Sequence, residues 1–458
     1  MASGVEDGAG SSAPKESHSR PDQFYGSGSF WSVSVRYFTI AAMTVLASAS
    51  ASAQEPHSRL AADATEWVRS IGVGAQLGYR WDMAYSDAVN GGKEGSPGVR
   101  KIAEAMAYLG LSRMRASLES DYLGSRVDAL VRAVPGLRFN WVISSFTEPD
   151  AQLNRQLERV VARKAITASI EGQNEPNRNI GVLGGRTWQK KLWSAVRANA
   201  QLADIPVLAP ALGGASPADY ALLGDLSAYA NNGNAHIYYG HGDPPLSGMR
   251  RTLEEARASV PGKPVVVTET HYYAAPSITI WGGVDAATQA AYDIELVADS
   301  WMLGVPGVYF YELVAEQPDP NNRDRELHFG LFDADWTPKP AATALHDLTS
   351  ELTRGGAQRQ PGSLGFNMIG LPETAHNLLF QRGDGTYIIA LWNDVKIWDQ
   401  QLRAPVVPRP VDVTLQLSQA ASRVRVYDPL TDKITTAALS SDNRSTSVLL
   451  PPSLVLVG

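Results

Sequence analysis

The feature that most constrains this chain of 458 residues is an eightfold alternation of strand-like and helix-like segments. The first strand-like segment covers 73–79 and the eighth covers 307–313, and the closing helical segment covers 338–348. Eight such pairs over about 280 residues match the size of a (β/α)8 barrel, or TIM barrel. The alternative is an open doubly wound sheet, but the chain has no early Gly-x-Gly-x-x-Gly turn. The alternation therefore predicts an α/β fold built as a TIM barrel.

The pattern changes after about residue 355, where short segments of alternating polar and apolar residues follow one another without helical segments. Turn sequences such as Gly383-Asp384-Gly385 separate them. Closely spaced period-2 segments of this kind are typical of a small antiparallel β-sandwich. We therefore predict three regions, which are a leader with a signal peptide over 1–53, the barrel over 54–352 and the β-sandwich over 353–458.

The leader has the features of a secretory signal. Arg36 precedes the apolar run 37–46, and Ala51-Ser52-Ala53 has the small-x-small form of a cleavage site. The apolar run is too short to span a bilayer comfortably, so we expect no stable membrane insertion after cleavage. The alternative is a disordered leader followed by a membrane anchor. The pattern predicts a secreted or periplasmic protein.

The composition excludes several classes of protein. The net charge is −7 and the Lys and Arg residues form no cluster, which argues against nucleic acid as a partner. The chain has no cysteine, so disulfides, thiolate zinc sites and cysteine nucleophiles are excluded. The functional groups must come from other residue types.

Two glutamates follow buried strand segments of the predicted barrel. Glu175 comes after the fourth strand, and Pro176 behind it cannot extend a ladder of hydrogen bonds. Glu269 follows the apolar run Val265-Val266-Val267 of the seventh strand. Barrels keep their reactive groups where the strands end, and these two strands face each other across the mouth. Two carboxyls about 5 to 5.5 Å apart are what retaining cleavage of a glycosidic bond requires.

Around these glutamates the sequence resembles the retaining glycoside hydrolases of clan A. The motifs are Asn174-Glu175-Pro176 on the fourth strand, His236-Ile237-Tyr238 on the sixth and Val267-Thr268-Glu269 on the seventh. Phe329-Gly330-Leu331-Phe332, followed by Pro338-Lys339-Pro340, adds to the resemblance. Together with the trailing β-sandwich, the pattern is most similar to glycoside hydrolase family 39, and family 5 is also similar.

The resemblance implies a role for each matched residue. Glu175 would be the general acid/base and Glu269 the nucleophile of a double displacement. Asn174 would bind the sugar 2-hydroxyl, Tyr238 would donate a hydrogen bond to the nucleophile, and His236 would line the cleft beside the acid/base. The implied substrate is a poly- or oligosaccharide, and the chemistry needs neither a cofactor nor a metal.

Aromatic side chains in the loops at the strand ends are candidate sugar platforms, because pyranose rings stack on flat apolar faces. Trp281, in a Gly-flanked loop after the seventh strand, is the best candidate among Trp81, Tyr85, Tyr272 and Tyr311. The eighth strand departs from the clan, which often supplies a Trp here, and Tyr311 is the candidate substitute.

Charged residues are also expected inside the barrel. Glu171 lies four residues before Glu175, so period-2 alternation puts both on one face of the strand, and Arg113 and Arg115 share a face on the second strand. A buried Glu171 needs a cationic partner. We expect Arg115, which is nearer the mouth, to reach the active site and Arg113 to balance the interior charge. The alternative is a purely structural ion pair.

Other interpretations of the sequence stay open. The barrel could bind carbohydrate without turnover, or the β-sandwich could be the sugar-binding part. A metal-dependent hydrolase could use His236, His241 and His271, although their spacing is irregular for a metal site. The long loops carry cations that could meet an acidic sugar or be solvated, which are Arg80, Lys93, Arg178, Arg323 and Arg325. The sequence therefore leaves open which sugar is bound.

Overall fold

The structure, a computed structural model, describes residues 56–77, 97–144, 149–357 and 360–458. The predicted leader and the candidate platforms Trp81 and Tyr85 lie outside these residues. The described residues belong to one compact unit. Among them, no helix is both long enough and apolar enough to cross a membrane.

Two short strands and a helix come first: β1 at His57–Leu60, β2 at Ala62–Asp63 and α1 at Ala64–Arg69. β1 pairs antiparallel with 363–366, and β2 pairs parallel with 380–381. Both partners belong to the C-terminal β-sandwich, so the barrel begins after these strands and not at residue 54. β1 is exposed along its length, and its residues therefore carry no apolar period that predicts a strand.

Seven parallel strands form the barrel sheet, in the order β6-β5-β4-β3-β9-β8-β7. Their ranges are β3 Ile71–Gly74, β4 Arg113–Ser117, β5 Arg138–Val142, β6 Thr167–Glu171, β7 Gly233–Tyr238, β8 Val265–His271 and β9 Val308–Phe310.

The segment 206–209 closes the ring between the two end strands of this sheet. The Ile170 amide donates to the Pro206 carbonyl over 2.9 Å, and the Ala209 amide donates to the Asn232 carbonyl over 2.9 Å. The predicted fifth strand is thus reduced to isolated bridges, since Pro206 and Pro210 offer no amide hydrogen. This segment, the fifth in chain order, completes a ring of eight. The predicted TIM barrel is therefore confirmed.

Helices surround the barrel. They are α2 Pro97–Leu109, α3 Asp121–Ala133, α4 Pro149–Val161, α5 Pro176–Asn179, α6 Val182–Ala198, α7 Pro217–Leu223, α8 Pro245–Arg257, α9 Ala286–Met302 and α10 Pro340–Leu352. Helix α3 shows why such segments are helical. Leu123, Val127 and Leu130 recur at helical spacing and are buried, and the Ser120 side chain caps the first turn by accepting from the Leu123 amide.

The C-terminal part is the predicted antiparallel β-sandwich, with β1 and β2 as additional strands. A four-stranded sheet has the order β1-β10-β15-β18, a six-stranded sheet has the order β17-β16-β19-β12-β11-β2, and β13 and β14 form a small hairpin. The ranges are β10 Ser363–Ile369, β11 Ala375–Gln381, β12 Tyr387–Asn393, β13 Trp398–Asp399, β14 Ala404–Pro405, β15 Val411–Leu417, β16 Val424–Asp428, β17 Lys433–Ala437, β18 Ser445–Leu450 and β19 Val455–Val457.

The β-sandwich packs on the side of the barrel through buried aromatic residues. The rings of Trp67 in α1 and Phe380 in β11 stack with centroids 4.6 Å apart. The Trp392 indole donates to Asp299 in α9 over 3.0 Å. These contacts bury apolar surface of both parts in one core, so each part stabilises the other.

Candidate active site

Glu175 stands at the start of helix α5, four residues beyond the end of β6. Its backbone is left-handed, with φ 40° and ψ 59°, a conformation that costs energy in a residue other than glycine. The Arg178 amide donates to the Glu175 carbonyl over 2.9 Å, and the Arg178 guanidinium lies 2.9 Å from the carboxylate. These contacts hold the carboxylate at the mouth of the barrel.

Glu269 lies within β8, because this strand continues for two residues beyond it to His271. One carboxylate oxygen of Glu269 and one of Glu175 lie within 4.8 Å of each other. His236 bridges them, with Nδ1 3.1 Å from Glu175 and 3.4 Å from Glu269. An approach this close between their oxygens is compatible with the carboxyl separation of a retaining pair, about 5 to 5.5 Å.

Two strong donors hold the Glu269 carboxylate. Arg115 Nη1 donates to Oε1 over 2.6 Å, and the Tyr238 hydroxyl donates to Oε2 over 2.6 Å. Burial by itself raises the pKa of Glu269, but the charges of His236 and Arg115 and these two hydrogen bonds outweigh it. The pKa of this carboxyl therefore lies below its ordinary value. Glu269 is held as a carboxylate.

Tyr238 is fixed as the donor in this pair. Burial raises its pKa well above the ordinary value, and the charge of Glu269 raises it further. The phenol therefore keeps its proton at any pH at which the protein would work. This is the contact with Glu269 that the resemblance implies.

Arg115 connects the candidate site to the interior of the barrel. Its Nε donates to Glu171 Oε1, and its Nη2 donates to Asn174 Oδ1 over 2.8 Å. Burial alone would lower the pKa of Arg115, but the charges of Glu171 and Glu269 raise it above its ordinary value. The expected ion pair with Glu171 is present, and the same guanidinium reaches the active site.

Arg113 does not balance the interior charge, contrary to expectation. It lies two residues nearer the amino end of β4 than Arg115, and its guanidinium donates to the Pro306 carbonyl over 3.2 Å. Since each strand residue advances about 3.3 Å, Arg113 points out at the opposite end of the barrel.

Glu171 is satisfied by residues that sequence reasoning missed. Asn234 Nδ2 donates to its Oε2 over 2.6 Å, Asn140 Nδ2 donates to its Oε1 over 3.1 Å, and the Thr268 hydroxyl lies 3.2 Å from Oε2. Asn140 and Asn234 face the interior, and a search for polar residues in the period of the buried strands would have found them. With Arg115, they leave the buried Glu171 carboxylate fully paired.

Six of the eight predicted site residues line one cavity of about 280 Å³ at the barrel mouth. They are Asn174, Glu175, Tyr238, Glu269, Trp281 and Tyr311. Arg115 and His236 support this cavity through their contacts with the two glutamates. Gln76 and Glu326 also line the cavity, although the sequence analysis did not single them out. Two of the arginines considered for an acidic sugar, Arg178 and Arg325, line it as well.

The candidate sugar platforms differ in their surroundings. Trp281 is 40% exposed, and the Arg325 guanidinium lies 4.5 Å from the centre of its ring. Tyr311 lines the cavity and packs edge-on against Phe329, at 5.7 Å. Tyr272 does not line the cavity; it is buried and stacks on Tyr239 at 4.9 Å.

The metal interpretation finds little support in this geometry. Within the described part of the chain, the one group of three metal-ligating side chains is Glu175, His236 and Glu269. His271 is instead held by Asp293 over 2.8 Å, so the three histidines do not converge. Both oxygens of Glu269 already accept from Arg115 and Tyr238, and the nearby guanidinium would repel a divalent cation.

Comparison with known proteins shows what the fold resembles. The sequence matches no family model and no curated protein. Among solved structures, a family 39 glycoside hydrolase from the gut symbiont Bacteroides cellulosilyticus WH2 is similar, with a TM-score of 0.57 and 17% identity. The match covers 86% of this chain and 81% of that chain.

Two further matches have TM-scores of 0.44 and identities of 13%. The family 17 β-1,3-glucanosyltransferase of Rhizomucor miehei is matched over 60% of this chain and 97% of that chain. The β-glucuronidase of Bacteroides uniformis is matched over 84% of this chain and 43% of that chain. Likenesses this weak carry no inference about this chain.

The family 39 match shows the fold. This chain is therefore a barrel and β-sandwich protein with a fold like that of glycoside hydrolase family 39, as its motifs predict.

Proposed function

We propose that this protein is a retaining glycoside hydrolase that cleaves a poly- or oligosaccharide by double displacement. Glu269 is the nucleophile and Glu175 the general acid/base. The observation that carries the proposal is the approach of the two carboxylates to within 4.8 Å at the mouth of a barrel. The family 39-like fold supports it independently.

In the first step, Glu269 attacks the anomeric carbon of the sugar in the 280 Å³ cavity. Its lowered pKa keeps it ionised, and Arg115 and Tyr238 hold it in place. Glu175 gives its proton to the glycosidic oxygen as the bond between that oxygen and the anomeric carbon breaks. The products are a covalent glycosyl-enzyme and a free leaving group.

In the second step, Glu175 acts as a base. It takes a proton from water while the water oxygen attacks the anomeric carbon, and the bond to Glu269 breaks. The enzyme returns to its first state, and two inversions give net retention of configuration.

Asn174 is oriented for the sugar 2-hydroxyl. Its Oδ1 accepts from Arg115 Nη2 over 2.8 Å, so its Nδ2 is the group that remains to donate to a ligand. Hydrogen bonds to this hydroxyl strengthen in the transition state of such reactions.

Of the alternatives, a non-catalytic sugar-binding protein has no need for two carboxylates in contact with one histidine. A metal-dependent hydrolase would have to displace Arg115 or Tyr238 from Glu269. We further propose that the protein is secreted or periplasmic, and this rests on the signal-like sequence over 36–53 alone.

The test is a pair of variants assayed on a panel of aryl glycosides with good leaving groups. Glu269→Ala should lower kcat by a factor on the order of 10⁴, because no covalent intermediate forms. Glu175→Ala should still be glycosylated by these substrates, stall at the second step and regain turnover with azide, which needs no base.

Glu326 lines the same cavity, and Glu326→Ala is the control because it should show no azide rescue. Wild-type behaviour of Glu175→Ala, or full activity of Glu269→Ala, would reject the assignment.

A further inference from the structure

A second cavity, of about 370 Å³, adjoins the catalytic one. It lies beside β7 and helix α8, and Tyr238 and Trp281 line both cavities. His236, the residue that bridges the two glutamates, also lines it. The two cavities therefore share part of their lining.

The second cavity lies on the proton donor's side of the site. Gly214 lines it, and the adjacent Gly213 is so close to Glu175 that a Cβ on Gly213 would lie 2.2 Å from the Glu175 Cδ. Glu175 and Glu269 themselves line only the first cavity, so it is this loop that links Glu175 to the second. Since the proton donor faces the leaving group and the nucleophile faces the anomeric carbon, the second cavity is placed for the leaving part of the substrate.

The lining of the second cavity suits an uncharged, hydroxyl-rich ligand. Arg251, Thr252 and Glu255 lie on one face of α8, at spacings of three and four residues. Arg251 and Glu255 carry opposite charges but form no ion pair with any described residue. The charges of Arg251 and Glu255 compensate each other. The guanidinium donors and the carboxylate acceptors remain available for sugar hydroxyls. Trp281 adds an aromatic surface to the lining.

We propose that this second cavity binds the leaving sugar unit and that this unit is a neutral pyranose. The substrate is then an oligo- or polysaccharide with at least two units, one in each cavity. This inference rests on the proposed function and adds to it the class of the substrate and the residues that bind its leaving side.

The experiment compares two kinds of substrate in one set of variants. One kind is a panel of neutral β-linked oligosaccharides of glucose, xylose, mannose or galactose. The other is the corresponding glycosyl fluorides, whose leaving group is too small to fill the second cavity. Glu255→Ala is the test variant, Arg251→Gln is a second, and Glu254→Ala is the control, because Glu254 is exposed on the same helix and lines neither cavity.

We expect Glu255→Ala and Arg251→Gln to lower kcat/KM on the oligosaccharide by about tenfold or more, since each loses a charged hydrogen bond to the ligand. Hydrolysis of the glycosyl fluoride should stay within about twofold of wild type, which also shows that the variants fold. Glu254→Ala should change neither value.

Equal losses on both substrates, or no loss on the oligosaccharide, would overturn the inference while leaving the proposed function in place. Turnover of fluorides without turnover of any oligosaccharide in the panel would also overturn it. Failure to hydrolyse either kind of substrate would contradict both the inference and the proposed function.

Discussion

At the scale of single residues, the site depends on keeping a buried carboxylate ionised. Removal from water favours the protonated form of Glu269, and His236, Arg115 and Tyr238 reverse that preference. Arg115 is in turn held by Glu171, whose other contacts come from three neighbouring strands. The Glu269 carboxylate, the proposed nucleophile, is therefore oriented by a network that begins inside the barrel.

Tyr238→Phe tests this account of Glu269. Losing the 2.6 Å hydrogen bond removes a contact that favours the carboxylate, so the pKa of Glu269 should rise. The nucleophile works only when ionised, and activity is lost as pH falls through that pKa. The acid limb of the kcat/KM profile should therefore move to higher pH, and kcat should fall by about 10- to 100-fold.

The control for this variant is Tyr239→Phe, because Tyr239 is adjacent on the chain but stacks on Tyr272 and lines neither cavity. Its pH profile should match that of the wild type. An unmoved acid limb in Tyr238→Phe would contradict the role of Tyr238.

Most of the site residues predicted from the sequence lie together at the barrel mouth. Glu175 and Glu269 could be found because each follows a recognisable apolar strand. Thr268 could not, since strict alternation turns it away from the interior when its neighbour Glu269 faces inward. The structure has a bulge there: Ala235 pairs with Val267 and His236 with Glu269, which leaves Thr268 as the extra residue.

At the scale of elements, the loop after the segment 206–209 positions Glu175. An added Cβ on Gly213 would lie 2.2 Å from the Glu175 carboxyl carbon and 2.5 Å from the Arg178 guanidinium. Asn177 also ties this loop to α5, exchanging hydrogen bonds of 2.9 Å with Gly213. The loop therefore needs glycine because the Glu175 side chain lies against it.

Gly213→Ala should displace the Glu175 side chain. We expect kcat to fall by about tenfold or more, since a shift of about 1 Å at a reacting group can cost this much or more. The comparison is Gly262→Ala, where φ is +74° and nothing lies within 4 Å of the added Cβ, so only backbone strain is introduced. Gly262→Ala should lower Tm and leave kcat unchanged; wild-type kcat in Gly213→Ala would contradict the close approach.

At the scale of the whole molecule, buried acids lie where the β-sandwich meets helix α9. Burial raises the pKa of Glu295 well above its ordinary value, and the charges of Asp299 and Asp394 add to this. Burial raises the pKa of Asp394 to about 6. In the described residues, neither Glu295 oxygen has a hydrogen-bond partner. Folding therefore favours the protonated forms of these carboxyls.

The sign of the pH dependence follows from these raised pKa values. Below about pH 4 the carboxyls are protonated in both states; above it the unfolded chain releases protons that the folded protein retains. Stability should therefore fall as pH rises through about 6, where Asp394 titrates, and beyond it for Glu295. Glu295→Gln cannot ionise, so it should raise Tm at pH 8 by about 2 °C or more and by less at pH 5.

Thermal unfolding at both pH values measures this effect. Glu158→Gln, which removes an exposed acid, is the control and should alter Tm equally little at either pH. A Glu295→Gln protein that is less stable than wild type at pH 8 would show that the buried carboxylate is compensated in the folded state.

The fold was predictable where a local period encodes it, as in the barrel strands and the β-sandwich. Two features had no local signal. The exposed strand β1 lacks an apolar period, and the contact of Trp392 with Asp299 joins residues 93 positions apart. Such contacts form only when the folded barrel and the folded β-sandwich pack together. No short segment of the sequence specifies that packing.

The most direct test of the paired glutamates is to trap the covalent intermediate. A 2-deoxy-2-fluoro glycoside with a good leaving group slows the second step more than the first, so the glycosyl-enzyme accumulates and peptide mass spectrometry identifies the modified residue. We predict a single adduct on Glu269, with the sugar configuration retained in the product of normal turnover. An adduct on another residue, or a product of inverted configuration, would contradict the account.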